Sequence, residues 1–445
     1  MKISKKILSQ VERLRNVASR SGAALVFLTK IVGAGCALLL NVVVARTLGV
    51  HDAGIFFLSV SIVTIGFALA RFGFGYTTYR VVAEASETGR KSEVASITTF
   101  AVQVVFSLSI LTTLVTCLCS ELIAERAFSA PDMVLPLIIM ALSIPVYCVG
   151  GMYSELLKGL RRPISYSMFE SVIIKVASIP SVGYLGFKYG LIGAATGFLI
   201  ANLLALLFVA VRARAVVREI GASSAFNGKM EMLKSTAYFA VVSYSTVAAQ
   251  WVSPLLVGYI LDPASAAVFF AAYRSVTVLD FVLLSIAAVA APIFVKAYAE
   301  GGFTKLLKVT IAQAARALVV SCALALIMFL SASFIMSLYG EEFEAGAGAL
   351  RAMLAVQVLA TPLGVFGLAV SASKGERSMA LIAPAACAVG LVSTALLASS
   401  FGIEGAALGA VLSSLVMNAL LAARFGMLWL KDRASSVPGK TPEGT

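Results

Sequence analysis

Twelve apolar stretches of about 20 residues follow one another along this 445-residue chain, and about 20 residues is what a helix needs to cross a hydrocarbon core roughly 30 Å thick. They centre on residues 23–45, 54–76, 95–118, 134–155, 166–187, 190–211, 236–259, 266–292, 310–333, 350–372, 379–399 and 404–427. No water reaches peptide groups in hydrocarbon, so each stretch must satisfy its own backbone as a helix. Composition agrees: 60% of residues are hydrophobic and 13% charged, against roughly 25% charged in an average soluble domain. The expected fold is an all-α polytopic membrane protein with twelve transmembrane helices.

Orientation follows from the basic residues, which are retained on the cytoplasmic side of short loops. With the N-terminus inside, 26 of the 35 Lys and Arg residues fall on cytoplasmic segments and only Arg46, Arg126 and Lys188 on outer loops. The acids Glu121, Glu125, Asp132, Glu341, Glu342 and Glu344 fall outside. Both termini are therefore expected in the cytoplasm. The net charge of +13 is a topology signal, and the basic segment "MKISKKILSQVERLR" is an orientation device, not a nucleic-acid arm. The apolar run from Ala23 is too long for a secretory signal and lacks an A-x-A-like end, so it is expected to be a retained first span. The six cysteines lie within or at the edges of spans, where buried thiols are expected, not disulfides or a metal site.

A repeat organises the spans. "YGLIGAATG" at 189–197 returns as "FGIEGAALG" at 401–409, 212 positions later. Nearly the same offset lays "ARTLGVHDAGIFF" (45–57) on "GYILDPASAAVFF" (258–270), and "KGLRR" (158–162) loosely recurs as "KGER" (374–377). The chain reads as a basic N-terminus (1–22), a first six-helix bundle (23–211), a cytoplasmic linker (212–235), a second six-helix bundle (236–430) and a cytoplasmic tail (431–445). Six spans per half put both halves into the membrane from the same side, so an axis along the membrane normal relates them. Gly193 and Gly197, like Gly405 and Gly409, are four apart and interleaved with alanine, a face on which another helix can approach closely. Two like bundles are expected to leave a central cleft between them, as in transporters that open alternately to each side.

Ionisable groups inside spans cost roughly 2.5–3.5 kcal/mol or more when they face lipid, so they mark cavities or partners. Arg71, Arg316 and Arg351 lie near span ends, within reach of an interface. Lys30, Lys175 and Arg274 lie deeper, each facing the cleft, pairing between helices or snorkelling. The acids within spans are Glu170, near a cytoplasmic end, and Asp280, near mid-membrane. Six residues separate Arg274 from Asp280, which places them on different helix faces. Asp280 is a candidate for binding a coupling cation or for pairing with a basic residue of another helix. Deep charge is on balance positive, which favours an anionic substrate group such as a phosphate.

The runs "LTKIVGAGCALLLNVVVARTLGVHDAGIFF" (28–57), "RVVAEASETGRKSE" (80–93) and "LLKGLRRPISYS" (156–167), with "YGLIGAATG", resemble the polysaccharide-export flippases of the multidrug/oligosaccharidyl-lipid/polysaccharide superfamily. The resemblance covers the whole chain. It implies a V-shaped pair of bundles in the bacterial inner membrane. It also implies transport of undecaprenyl-diphosphate-linked O-antigen or exopolysaccharide repeat units, by alternating access, from the cytoplasmic to the periplasmic face. A polysaccharide polymerase and chain-length machinery are the implied partners, and no cofactor is implied. Basic residues in the first, second and eighth spans are typical diphosphate contacts in such proteins, and Lys30 and Arg274 match in kind and approximate place. No acidic coupling site carries over to a matching position.

Two other classes were weighed on the residues. An ion-coupled multidrug or small-solute antiporter of the same superfamily would carry acids in the cleft, and spans one, two and seven contain none. An enzyme such as a polymerase or glycosyltransferase would present reactive groups to water, yet the longest outer loop is about 14 residues, the only histidine is His51 in an outer loop, and no paired-carboxylate or nucleophile constellation occurs. "GKT" at 439–441 lacks the leading glycine of a phosphate-binding loop and sits in a polar tail.

Overall fold

A computed structural model describes the backbone of residues 2–221, 224–373 and 376–435, and the side chains of residues 25–433 apart from 222–223, 238, 242, 288–289, 292 and 374–380. The "GKT" of the tail and the basic side chains of residues 1–22 lie outside the described residues. Thirteen α-helices follow in order: α1 (Lys2–Arg71), α2 (Phe74–Glu87), α3 (Val94–Leu118), α4 (Val134–Ala141), α5 (Ser143–Gly159), α6 (Pro163–Ser167), α7 (Ile174–Ile220), α8 (Lys229–Ile260), α9 (Pro263–Val276), α10 (Asp280–Leu330), α11 (Ala332–Ser337), α12 (Ala347–Ala372) and α13 (Glu376–Ser435). Short 3-10 and π turns join some of them, and no strand occurs among the described residues.

Nine stretches among the described residues are long and apolar enough to cross a membrane. Three of these, Leu25–Arg71, Pro163–Ile220 and Leu381–Arg433, run 47, 58 and 53 residues, about twice or more what one crossing uses. Each contains one non-helical glycine: Gly49, Gly190 and Gly402. Apolar side chains face outward, as hydrocarbon allows and water does not: Leu118 and Phe187 are each 83% exposed.

The repeated phrase has the same geometry in both copies. Gly190 sits at φ 60°, ψ −145° and Gly402 at φ 61°, ψ −142°, a conformation essentially reserved for glycine, and each reverses a helical hairpin. Three residues on, the returning helix touches the incoming one backbone to backbone. A Cβ on Gly193 would lie 2.0 Å from the Leu185 carbonyl oxygen, and one on Gly405 would lie 2.1 Å from that of Leu397. One turn further, Gly197 meets Ser181 and Gly409 meets Thr394 just as closely, and the Ser181 hydroxyl donates to the Gly197 carbonyl at 3.0 Å. Close backbone approach between small residues replaces the hydrophobic effect as glue where the solvent is itself apolar.

By its internal contacts the chain divides into two units, Met1–Tyr244 and Ser245–Thr445. In the first, α7 packs on α1 and α5, and α5 also packs on α2 and α3. Its core includes Ile55, Phe57, Leu58 and Ile97, and a second cluster gathers Leu157, Phe169, Ala205 and Val209. In the second, α12 packs against both α10 and α13, around Phe294, Leu306, Val365 and Phe425. The Phe425 ring meets Phe303 and Phe366 edge-on, with centroids 5.8 and 5.6 Å away. The start of α9 is fixed by Asp262, whose carboxylate accepts from the Ser265 amide at 2.8 Å and the Ser265 hydroxyl at 2.7 Å, with Pro263 in the first turn.

Candidate functional site

Arg274 lies in the last turn of α9, four residues after Phe270, so the two share a helix face. Its guanidinium carbon lies 4.0 Å from the centroid of the Trp251 ring, on α8, and 4.8 Å from that of Phe270. Aromatic faces stabilise a guanidinium by about 0.5–2 kcal/mol and leave its in-plane N–H groups unspent. One of them, Nη2, is buried without a hydrogen-bond acceptor among the described residues. A buried donor left unmade costs about 1–3 kcal/mol or more for a charged group, so the arrangement stabilises an incoming oxyanion. At the repeat offset set by the two Phe-Phe pairs, the first unit has Ser61 in place of Arg274, and its hydroxyl is consumed by the Phe57 carbonyl at 2.8 Å.

Asp280 opens α10 after a 3-10 turn, Thr277–Leu279, and its Oδ1 accepts a hydrogen bond from the buried Gln357 amide of α12 at 2.8 Å. The expectation that it pairs with a basic residue of another helix is not met among the described residues. Its partner is neutral.

The first unit holds the other candidates. Lys30 is exposed on α1; beside it Thr29 shares a hydroxyl hydrogen bond with Ser167, and Gly33 lies against the Ser171 backbone, where a Cβ would come within 2.1 Å of the carbonyl oxygen. Lys175 is half-buried, and its Nζ donates to the Glu170 backbone carbonyl at 2.6 Å. Those two residues are brought together by the π-helical turn Met168–Ile173, whose wider winding sets residues five apart side by side. The Glu170 carboxylate makes no ion pair among the described residues.

Arg71 departs from the sequence expectation. Instead of reaching for an interface it donates to Glu155 at 3.1 Å, and Glu155 is only 6% exposed. The second Glu155 oxygen lies 3.4 Å from Lys158 Nζ, which in turn sits over the rings of Tyr79 and Tyr166 at 5.0 and 5.7 Å. Gly75 and Gly151 make the room: a Cβ at either would lie 2.7 or 3.2 Å from the Arg71 guanidinium. Glu155 was not a candidate in the sequence, since it closes the fourth apolar stretch and resembles a loop residue. Its one signal was a carboxylate placed a helical turn before Lys158.

A family model described as "Polysaccharide biosynthesis protein" matches residues 19–298. No curated protein matches the chain. Among solved structures, the chain is similar to an inward-facing multidrug resistance MATE family transporter of the MOP superfamily, at 16% identity and a TM-score of 0.75 over 93% of this chain and 100% of that one. It is similar to the lipid II flippase MurJ in an inward closed conformation, at 13% identity and 0.73 over 93% and 90%. A MOP superfamily transporter from Pyrococcus furiosus follows at 16% identity and 0.59 over 94% and 96%. At such identities the likeness is one of fold.

Proposed function

The chain belongs to the polysaccharide biosynthesis protein family and is a multi-pass membrane protein with the fold of MOP-superfamily transporters, and on that premise we propose that it flips lipid-linked oligosaccharides. The cargo in this reading is an undecaprenyl-diphosphate-linked repeat unit for O-antigen or exopolysaccharide synthesis. It moves from the cytoplasmic to the periplasmic face of the bacterial inner membrane by alternating access. Both chain termini lie in the cytoplasm, a placement supported by 26 of 35 basic residues falling on that side.

The observation that carries the proposal is the Arg274 guanidinium, which lies over the rings of Trp251 and Phe270 and has a buried N–H with no acceptor among the described residues. A diphosphate supplies the acceptors this group lacks, in a geometry that suits a planar fork. A cationic drug supplies none. Lys30, exposed on α1, is assigned a second contact with the head group, and Lys175 a third through its position beside the π turn. Gln357 fixes the Asp280 carboxylate, which is assigned to ion coupling.

A deletion strain of the source bacterium tests this, with surface polysaccharide and lipid-linked repeat units scored together. Loss of surface glycan with unpolymerised repeat units held on the cytoplasmic face is the expected result. Unchanged glycan with new sensitivity to cationic drugs would overturn the proposal in favour of an antiporter.

A further inference from the structure

A groove of about 310 Å³ opens in the first unit between α3, α5 and the end of α7, and none of the residues assigned above to the cargo lines it. Its wall is apolar along Val102, Leu156 and Val217, and its rim carries Arg214 and Arg218. The two arginines are four residues apart and therefore stand side by side on one helix face. No carboxylate lines the groove.

Neither arginine is engaged by a carboxylate among the described residues. Arg71, Arg90, Arg161 and Arg162 in the same unit are each paired with a glutamate. Glu219, adjacent to Arg218, is taken by Arg162 at 2.6 Å. Arg214 and Arg218 are exposed and have neither ion pair nor hydrogen bond among the described residues.

The groove also has a direction. Along α3 it runs from Ala95 to Gln103, and Gln103 is 12 residues, about 18 Å, beyond Lys91 where that span begins. The arginines lie within the last seven residues of the span Pro163–Ile220. Charge therefore sits at the membrane boundary and the apolar wall descends into hydrocarbon. An inorganic anion has no use for that wall, and a neutral lipid has no use for the unpaired arginines.

We propose that this groove binds one anionic phospholipid, with its phosphate on Arg214 and Arg218 and an acyl chain along Val102, Leu156 and Val217. Basic pockets between membrane helices recognise anionic head groups in this way. The site does not depend on what the protein carries, and its test does not read transport.

The experiment is native mass spectrometry of the full chain, stripped of lipid and titrated with phosphatidylglycerol or phosphatidylcholine. The wild type is expected to hold one phosphatidylglycerol in preference to phosphatidylcholine. Arg214→Gln/Arg218→Gln is expected to hold it about 30-fold more weakly, from roughly fivefold per arginine at an anionic surface. Thr99→Trp, at an exposed position on the groove wall, is expected to weaken binding with both charges kept. Unchanged retention in the double variant would overturn the proposal. So would displacement by millimolar inorganic phosphate, which would mark a plain anion site, or displacement by equimolar undecaprenyl diphosphate, which would mark a station for the cargo.

Discussion

Replacing Glu155 by glutamine keeps the side chain's shape and removes the charge that holds Arg71. Gly75 and Gly151 leave room for the guanidinium where it lies, and Glu155 is its one carboxylate partner among the described residues. Breaking a buried pair from one side costs about 3–5 kcal/mol, most of it the uncompensated charge. For a unit of 244 residues, at about 2–4 °C per kcal/mol, the thermal midpoint should fall by roughly 6–20 °C. Arg71→Met alone should cost a similar amount, since Glu155 is then left with only Lys158 at 3.4 Å. The double change Arg71→Met/Glu155→Leu replaces both ions with apolar groups and should return most of the loss, because such exchanges are often neutral or stabilising. The assay is the fraction of purified protein that remains monodisperse on size exclusion after heating, measured for the wild type, Arg71→Met, Glu155→Leu and the double variant, which close the cycle, with Glu155→Gln beside them. Additive losses in the double variant would refute the argument, since they would mean that the two groups do not depend on one another.

Further outcomes follow from the same geometry. Arg274→Ala and Lys30→Ala should each stop transport of lipid-linked repeat units while the protein still inserts, and normal transport in both would sink their assignment to the cargo. Trp251→Ala, which removes one aromatic face from Arg274, should weaken apparent substrate affinity about 2- to 30-fold, the equivalent of a 0.5–2 kcal/mol cation–π contact, and Arg274→Lys should restore little because an ammonium is a point charge. Gly190→Ala and Gly402→Ala should each cost about 1–3 kcal/mol, by nearly equal amounts, since both positions have the same strained backbone; a clear inequality in their melting shifts would show that the two hairpins do not share one turn. Gly193→Ala and Gly405→Ala should both lower folded yield in detergent, because each new methyl would collide with a carbonyl oxygen about 2 Å away.

What the sequence disclosed and what it hid divide along a physical line. The membrane-spanning helical class and the close packing at the repeated phrase were legible because each is local: apolar length calls for a crossing helix, and small residues four apart make a face another helix can approach. Arg71 was misread because its partner, 84 residues away, can be found only through packing. Lys175 and Glu170 escaped the helical wheel because a π turn changes the period on which the wheel rests. The Trp251 stack on Arg274 joins α8 to α9, and no spacing rule connects position 251 with 274. The charges within apolar stretches could be listed from the sequence, while their neighbours could not.

The exchange of Ser61 for Arg274 after the two Phe-Phe pairs has a consequence for how such a chain can change over generations. The hairpin glycine comes as a pair, at 190 and again at 402, in one backbone conformation. The guanidinium exists in one copy only. A saturation scan scored for protein abundance should therefore return hits in twinned positions 212 or 213 residues apart, whereas the same scan scored for export should return unmatched ones. Lesions in the duplicated scaffold and lesions in the unduplicated chemistry would then be separable by inspection, before any substrate has been purified.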